Sequence, residues 1–225
     1  RCVLHVTCRD EAEESRRRIT RARIEIVANG VDIPSDVPGR SWTPDGVLRL
    51  FFIGRLHPKK GIENLLHALK FLAEKVSLTV CGAGEPAYES SLRTLANDLG
   101  FSHSVHFSGH VEGEAKSRAF WNADICVVPS HTENFAMVVA EALAHGVPVI
   151  ASWGTPWKEL VERQCGLWVE NDPSSLMKAI TEMRSRNLSQ MGRSGRQWME
   201  ESFSWEAVAG RMSTVYSSLI AGTAK

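Results

Sequence analysis

The sequence predicts an α/β fold, a Rossmann-like parallel sheet with helices on both faces. Three observations predict it. Short apolar, β-branched runs recur from Val47 onward and read as strands buried on both faces. A longer segment with apolar residues at helical spacing follows most of them. Glycine and proline punctuate the junctions. Strands alternating with helices imply parallel pairing, and such sheets bind ligands outside the carboxyl ends of their strands.

The elements follow in order. Val3 to Val6 is strand-like, Asp10 to Arg18 a charged helix, and Ile24 to Val27 a strand ending at Asn29-Gly30-Val31-Asp32, a tight turn. Pro34, Pro38, Gly39, Pro44 and Gly46 cluster as a linker. Val47 to Ile53 is a strand. Ile62 to Glu74 is an amphipathic helix with Ile62, Leu65, Leu66, Leu69 and Leu72 on one face. Leu78 to Cys81 is a strand, Tyr88 to Leu99 a helix, and Gly100 its cap. Val105 to Phe107 is a strand and Glu114 to Trp121 a helix. The buried strand Ile125 to Val128 is stopped by Pro129 and Ser130. Phe135 to His145 is helical, with Gly146 placed for a left-handed cap, and Val147, Val149 and Ile150 form the next strand. A short helix from Pro156 to Glu162, a strand from Leu167 to Val169 and three helices from Pro173 onward complete the chain. The last, Trp205 to about Ile220, has Ser204 as N-cap and an apolar stripe of Val208, Met212, Val215 and Leu219.

At 225 residues the chain can bury a full core as one domain, or as one domain plus a fragment. Lys+Arg and Asp+Glu are 26 each, which gives no general case for nucleic acid or an anionic membrane surface. No apolar run approaches the ~20 residues of a membrane span. No secretory signal is visible, although the chain starts at Arg1. The five cysteines (Cys2, Cys8, Cys81, Cys126, Cys165) are scattered, and Cys81 and Cys126 fall in predicted buried strands. Reduced thiols of a cytosolic protein fit this better than a disulfide framework, and no Cys/His spacing suggests a metal.

Two acidic residues stand out between Ile125 and Ser152. Glu141 lies in the most apolar helix, where an unpaired carboxylate is expensive. It is either solvated or paired at the helix rim, or an acceptor of ligand hydrogen bonds. Glu133 precedes the same helix, roughly 12 Å away if eight residues of helical rise separate the two. Between them a helix N-terminus near Asn134 to Ala136 offers free N–H groups to an anion. A ligand with hydroxyls at both ends and phosphates between them fits, and a nucleotide sugar is such a ligand.

After the first core strand comes Gly54-Arg55-Leu56-His57-Pro58-Lys59-Lys60-Gly61. Standing alone it is a solvated basic loop. At a strand's carboxyl end, Arg55 can fork across two phosphate oxygens and Lys60 can add a point charge. Cys81-Gly82-Ala83-Gly84 lacks the third glycine of a dinucleotide fingerprint and reads as a tight turn near the ligand. His110 reads as a surface or supporting histidine rather than a catalyst, while His131 lies just before Glu133, within reach of the site, and does not read as a catalyst either.

The Glu-x7-Glu pair within PSHTENFAMVVAEALAHGVPVIAS resembles the donor-site motif of retaining glycosyltransferases with the GT-B fold, in the large family four, the glycosyl transferases group 1. The usual form is Glu-Gly-Phe-Gly, where this chain has Glu133-Asn134-Phe135-Ala136. Asn134 tolerates positive φ in place of glycine, and Ala136 adds a methyl beside the ligand. The resemblance implies that Arg55 and Lys60 neutralise the leaving diphosphate and that Glu133 holds the hydroxyls of the transferred sugar. It implies that Glu141 holds the ribose, and that Gly54, Asn134, Phe135, Ala136 and the loop Gly109-His110-Val111 line the rest of the donor pocket.

It further implies a division of the chain: 1–36 as the end of a first domain, 37–46 as linker, 47–203 as the donor domain and 204–225 as a crossover helix. The expected reaction moves a hexose from a UDP- or GDP-type nucleotide sugar, without a metal, to a glycan or lipid-linked acceptor in cell-surface polysaccharide or glycoconjugate synthesis. The expected partner is the missing N-terminal domain, and the expected place is the cytoplasm, with peripheral association at the inner membrane face. A GT-B phosphorylase or epimerase, and a non-catalytic nucleotide-sugar-binding module, are the alternatives.

Overall fold

A computed structural model describes residues 3–39, 41–72 and 75–223. The chain opens with a parallel β-α-β unit: β1 (Val3–Val6), α1 (Arg9–Arg18) and β2 (Arg23–Ile26). Next come β3 (Leu48–Ile53), α2 (Ile62–Leu69), β4 (Val76–Cys81), α3 (Pro86–Asp98), β5 (Val105–Gly109) and α4 (Gly113–Trp121). Then follow β6 (Ile125–Val128), α5 (Met137–Ala144), β7 (Val149–Ser152), α6 (Glu159–Glu162), β8 (Gly166–Val169), α7 (Pro173–Arg184), α8 (Leu188–Ser202) and α9 (Trp205–Thr223).

β3 to β8 form one parallel sheet in the order β5-β4-β3-β6-β7-β8. The chain therefore starts mid-sheet, runs outward to β5, returns to the other side of β3 and runs outward to β8. The reversal between β3 and β6 is a topological switch point, where crevices open in sheets of this type. Successive side chains of β3 bury on opposite faces, as the two-residue period of a strand requires. Leu50 and Phe52 join one apolar layer with Leu65, Leu66 and Ile180, while Phe51 joins the other with Phe120, Leu143 and Trp157.

The segment before β3 is held by a buried charge. The Asp124 carboxylate, 0% exposed, takes two bonds from the Arg49 guanidinium (3.1 and 2.7 Å) and the N–H groups of Thr43 (3.1 Å) and Arg49 (2.8 Å). Farther along, α9 meets the β1–β2 unit, where Arg23 donates to Ser218 Oγ at 3.2 Å. Its stripe is half-buried at Met212, Val215 and Leu219, and buried at Val208. Ser204 caps it, its Oγ accepting from the Ala207 N–H at 3.3 Å.

The elements occur in the expected order, and some boundaries differ. α2 ends at Leu69, where the N–H groups of Lys70, Phe71 and Leu72 turn back three residues each and tighten the exit. Glu74, its expected end, lies outside the described residues, as does Cys2. α5 starts at Met137, not Phe135, and Val147 precedes β7. The helix expected from Pro156 is a single turn from Glu159. Trp157 is pulled into the core instead, where its indole N–H donates to the Phe135 carbonyl. Gly100 and Gly146 take the left-handed caps expected of them. Among the described residues, no helix is long and apolar enough to cross a membrane.

Candidate functional site

A cavity of about 820 Å³ opens at the carboxyl end of the sheet. The loops after β3, β4, β5 and β6 wall it, so it straddles the switch point. Arg55 and Lys60 enter from the β3 side, Glu133 from the β6 loop and Glu141 from α5. Gly54, His110, Val111, Asn134, Phe135 and Ala136 also line it. Gly109 stands one residue behind, its carbonyl accepting from the Gly82 N–H at 2.7 Å.

Two glycines let these loops meet. Gly82 has φ +135°, and a Cβ there would stand 1.8 Å from the Gly54 carbonyl oxygen. Gly61 has φ +63°, and its Cβ would stand 2.1 Å from the Pro129 oxygen. Any side chain at either position collides with backbone, so only glycine lets the β3 loop approach its neighbours.

The loop from Pro129 to Ala136 is tied on every side. The His131 N–H donates to Lys59 O (2.8 Å) and the Glu133 N–H to Gly154 O (2.8 Å). Asn171 Nδ2 donates to Pro129 O at 2.5 Å, and the Cys8 thiol to Asn134 O at 3.2 Å. These tethers place the positive φ at Ala136 (59°), whereas Asn134 was the expected site. A left-handed non-glycine residue costs about 1–2 kcal/mol. Ala136→Gly should therefore raise stability by about 1 kcal/mol, less the extra entropy glycine gains in the unfolded chain. Denaturant unfolding measures it, and a net loss would mean that the buried Ala136 methyl outweighs the strain.

The charges are paired unevenly. Lys60 Nζ bonds Glu133 Oε1, which also accepts from Ser130 Oγ at 2.7 Å. Lys116 Nζ bonds Glu141 Oε1 at 2.7 Å. Arg55 is exposed and makes no ion pair among the described residues. With Lys59, four cations and two carboxylates face the cavity, so an electrically neutral chain carries a locally positive crevice that favours an anion. The two glutamates look into the same space, but the stretch from Glu133 to Ala136 is not helical, so helical rise does not set their separation.

Behind Glu141, burial lowers the pKa of His145, whose ring bridges Glu141 O (2.7 Å) and Ser117 Oγ (3.1 Å). Burial pushes the Cys126 thiol up, and the Glu141 charge adds to it. Burial raises Cys165 to about 12. These thiols stay protonated at neutral pH and are poor nucleophiles. Among the described residues, no group of three His, Cys, Asp or Glu side chains converges as for a metal.

Sequence reasoning missed Lys59, Thr132 and Lys116 as lining residues, and Ser130 as a partner of Glu133. Lys59 adjoins a residue already singled out. Lys116 gives no local signal, because its approach to Glu141 depends on how α4 packs against α5.

The profile described as "Glycosyl transferases group 1" matches residues 40–198. The chain is 31% identical over 213 residues to the uncharacterized glycosyltransferase MJ1607 of Methanocaldococcus jannaschii, covering 86% of this chain and 54% of that protein. It is 31% identical over 217 residues to D-inositol 3-phosphate glycosyltransferase of Corynebacterium efficiens, covering 87% of this chain and 51% of that protein. The chain thus spans about half the length of these curated relatives. Among solved structures, sucrose-phosphate synthase from Thermosynechococcus elongatus superposes with a TM-score of 0.85 at 27% identity, covering 97% of this chain and 58% of that one. Anabaena Alr3699/HepE, solved with UDP and glucose, shares the fold at a TM-score of 0.81 and 19% identity, covering 96% and 63%.

Proposed function

The chain belongs to the glycosyl transferases group 1 family, and from that premise we propose that it is the donor-binding part of a retaining GT-B glycosyltransferase. In this reading residues 1–36 close a first domain, 37–46 link, 47–203 hold the nucleotide sugar and 204–225 cross back. The whole enzyme moves a hexose from a UDP- or GDP-sugar to a glycan or lipid-linked acceptor, on the cytoplasmic side, in polysaccharide or glycoconjugate assembly. The bond between the anomeric carbon and the diphosphate oxygen breaks, and its electron pair leaves with the diphosphate. A bond from the acceptor oxygen to the same face of that carbon replaces it, and the acceptor proton passes to the departing phosphate oxygen.

One observation carries this reading: one positive cavity at the switch point holds two glutamates at different places and an arginine with no ion pair among the described residues beside them. Glu141 suits the ribose hydroxyls, Glu133 the sugar hydroxyls, and Arg55 with Lys60 the diphosphate between. Catalysis then comes from fixed positive charge at the leaving group rather than from an enzyme nucleophile. The UDP and glucose named for the Anabaena neighbour are ligands of this class.

Calorimetry with UDP, GDP and their sugar forms tests it. A hydrogen bond to a charged group contributes about 1.5–3 kcal/mol, on the order of tenfold to hundredfold in affinity. Glu141→Ala should lose that much for free diphosphate and intact donor alike. Glu133→Ala should lose it for the intact donor while leaving the free diphosphate nearly untouched. Chelator should change neither titration. Equal losses of free diphosphate in both variants would sink the two-ended assignment.

A further inference from the structure

Glu141 is not presented to the cavity by α5 alone. Its Oε1 is taken by Lys116 Nζ at 2.7 Å, and no donor reaches Oε2 among the described residues. Both side chains are about a quarter exposed, Lys116 29% and Glu141 24%, and both line the cavity. The next residue of α4, Ser117, meets the His145 ring, whose other nitrogen contacts the Glu141 carbonyl. That ring stacks on Phe120, also of α4, at 4.7 Å and 25°. One helix therefore holds Glu141 twice, through its backbone and through its carboxylate.

A carboxylate on so apolar a helix is costly without a partner. Freed of Lys116 it would turn toward open water. Held by Lys116, it keeps one oxygen occupied and offers the other to a ligand.

We propose that Lys116 is a positioning residue: it fixes the Glu141 carboxylate so that Oε2 faces the nucleoside hydroxyls, and it acts on the ligand through Glu141. This rests on the donor-site reading above. It adds a residue from a different helix to nucleoside recognition, and it makes α4 an arm of the site.

A double-mutant cycle tests it. Binding of UDP and GDP, and of inorganic pyrophosphate as a ligand without a nucleoside, is measured for wild type, Lys116→Met, Glu141→Gln and the double variant. Lys116→Met should weaken nucleoside diphosphate about fivefold to tenfold and leave pyrophosphate unchanged. In the Glu141→Gln background it should add almost nothing, and Lys116→Arg should restore part of the loss. The thermal midpoint of each variant serves as the folding control.

Three results overturn the proposal. The first is an undiminished loss in the Glu141→Gln background, which would put Lys116 directly on the nucleotide. The second is an equal loss for pyrophosphate, which would make it a general cavity charge. The third is no loss at all. Failure of the donor-site reading looks different, because wild type would then bind neither UDP nor GDP.

Discussion

Asp124→Ala should cost about 3–5 kcal/mol of stability, the usual result of removing one member of a buried ion pair. For a chain of this size that lowers the thermal midpoint by on the order of 10 °C. The Asp124 carboxylate is fully buried and answers four donors from two places, Thr43 ahead of β3 and Arg49 at its start. Alanine would strand the Arg49 guanidinium and two backbone N–H groups together. Asp124→Asn keeps the shape and one acceptor, and should lose less. Asp124 precedes β6 while the cavity lies beyond its far end, so the folded fraction should keep the nucleotide affinity proposed for that cavity. Denaturant unfolding gives the first quantity and calorimetry the second. A loss below about 1 kcal/mol, the level of a solvated surface pair, would contradict the anchoring role.

Arg55→Ala should act in the opposite way, on the reaction and not on the fold. On the donor-site reading proposed above, in the full-length enzyme it should lower kcat by about 10²–10³-fold, the range seen when one fixed donor to developing negative charge is removed. Arg55 faces the cavity, is exposed and has no carboxylate partner among the described residues, so its charge is available to a diphosphate at once. Arg55→Lys should recover little, since a point charge does not replace a fork that spans two oxygens. Lys60 differs because it is already bonded to Glu133. Removing it would leave the Glu133 carboxylate without its cation, next to the place proposed for the diphosphate, so Lys60→Ala should weaken binding by more than one lost contact. Turnover of Arg55→Ala within threefold of wild type would remove Arg55 from the charge-stabilising set.

Strand and helix order was readable because each element carries its own period and its own stop. Ile125 to Val128 needs only four apolar residues and Pro129, and Gly146 marks the end of α5 by itself. The cavity residues were readable for a related reason. Once strands are assigned, the loops at their carboxyl ends are known, and charge or glycine in those loops stands out. What escaped depends on contacts across the fold. The positive φ sits at Ala136 rather than Asn134 because tethers from Lys59, Gly154, Asn171 and Cys8 shape the loop. Trp157 leaves its expected helix to reach Phe135, 22 residues back. Lys116 meets Glu141 across 25 residues, by packing alone.

The strand order also governs how the chain comes together in time. β3, β4 and β5 pair with neighbours in sequence, and so do β6, β7 and β8, but the seam joins Leu50 to Ile125. Distant pairings close late, since the loop entropy is spent before the contacts form. Until β6 docks, β3 is an open edge, the kind of strand that recruits other chains. The ligand crevice lies across that seam, so it is completed in the last step of assembly. On the donor-site reading, a nucleoside diphosphate then has nothing to grip in the early species. It should slow unfolding and leave the refolding rate unchanged, as the two arms of a stopped-flow chevron would record.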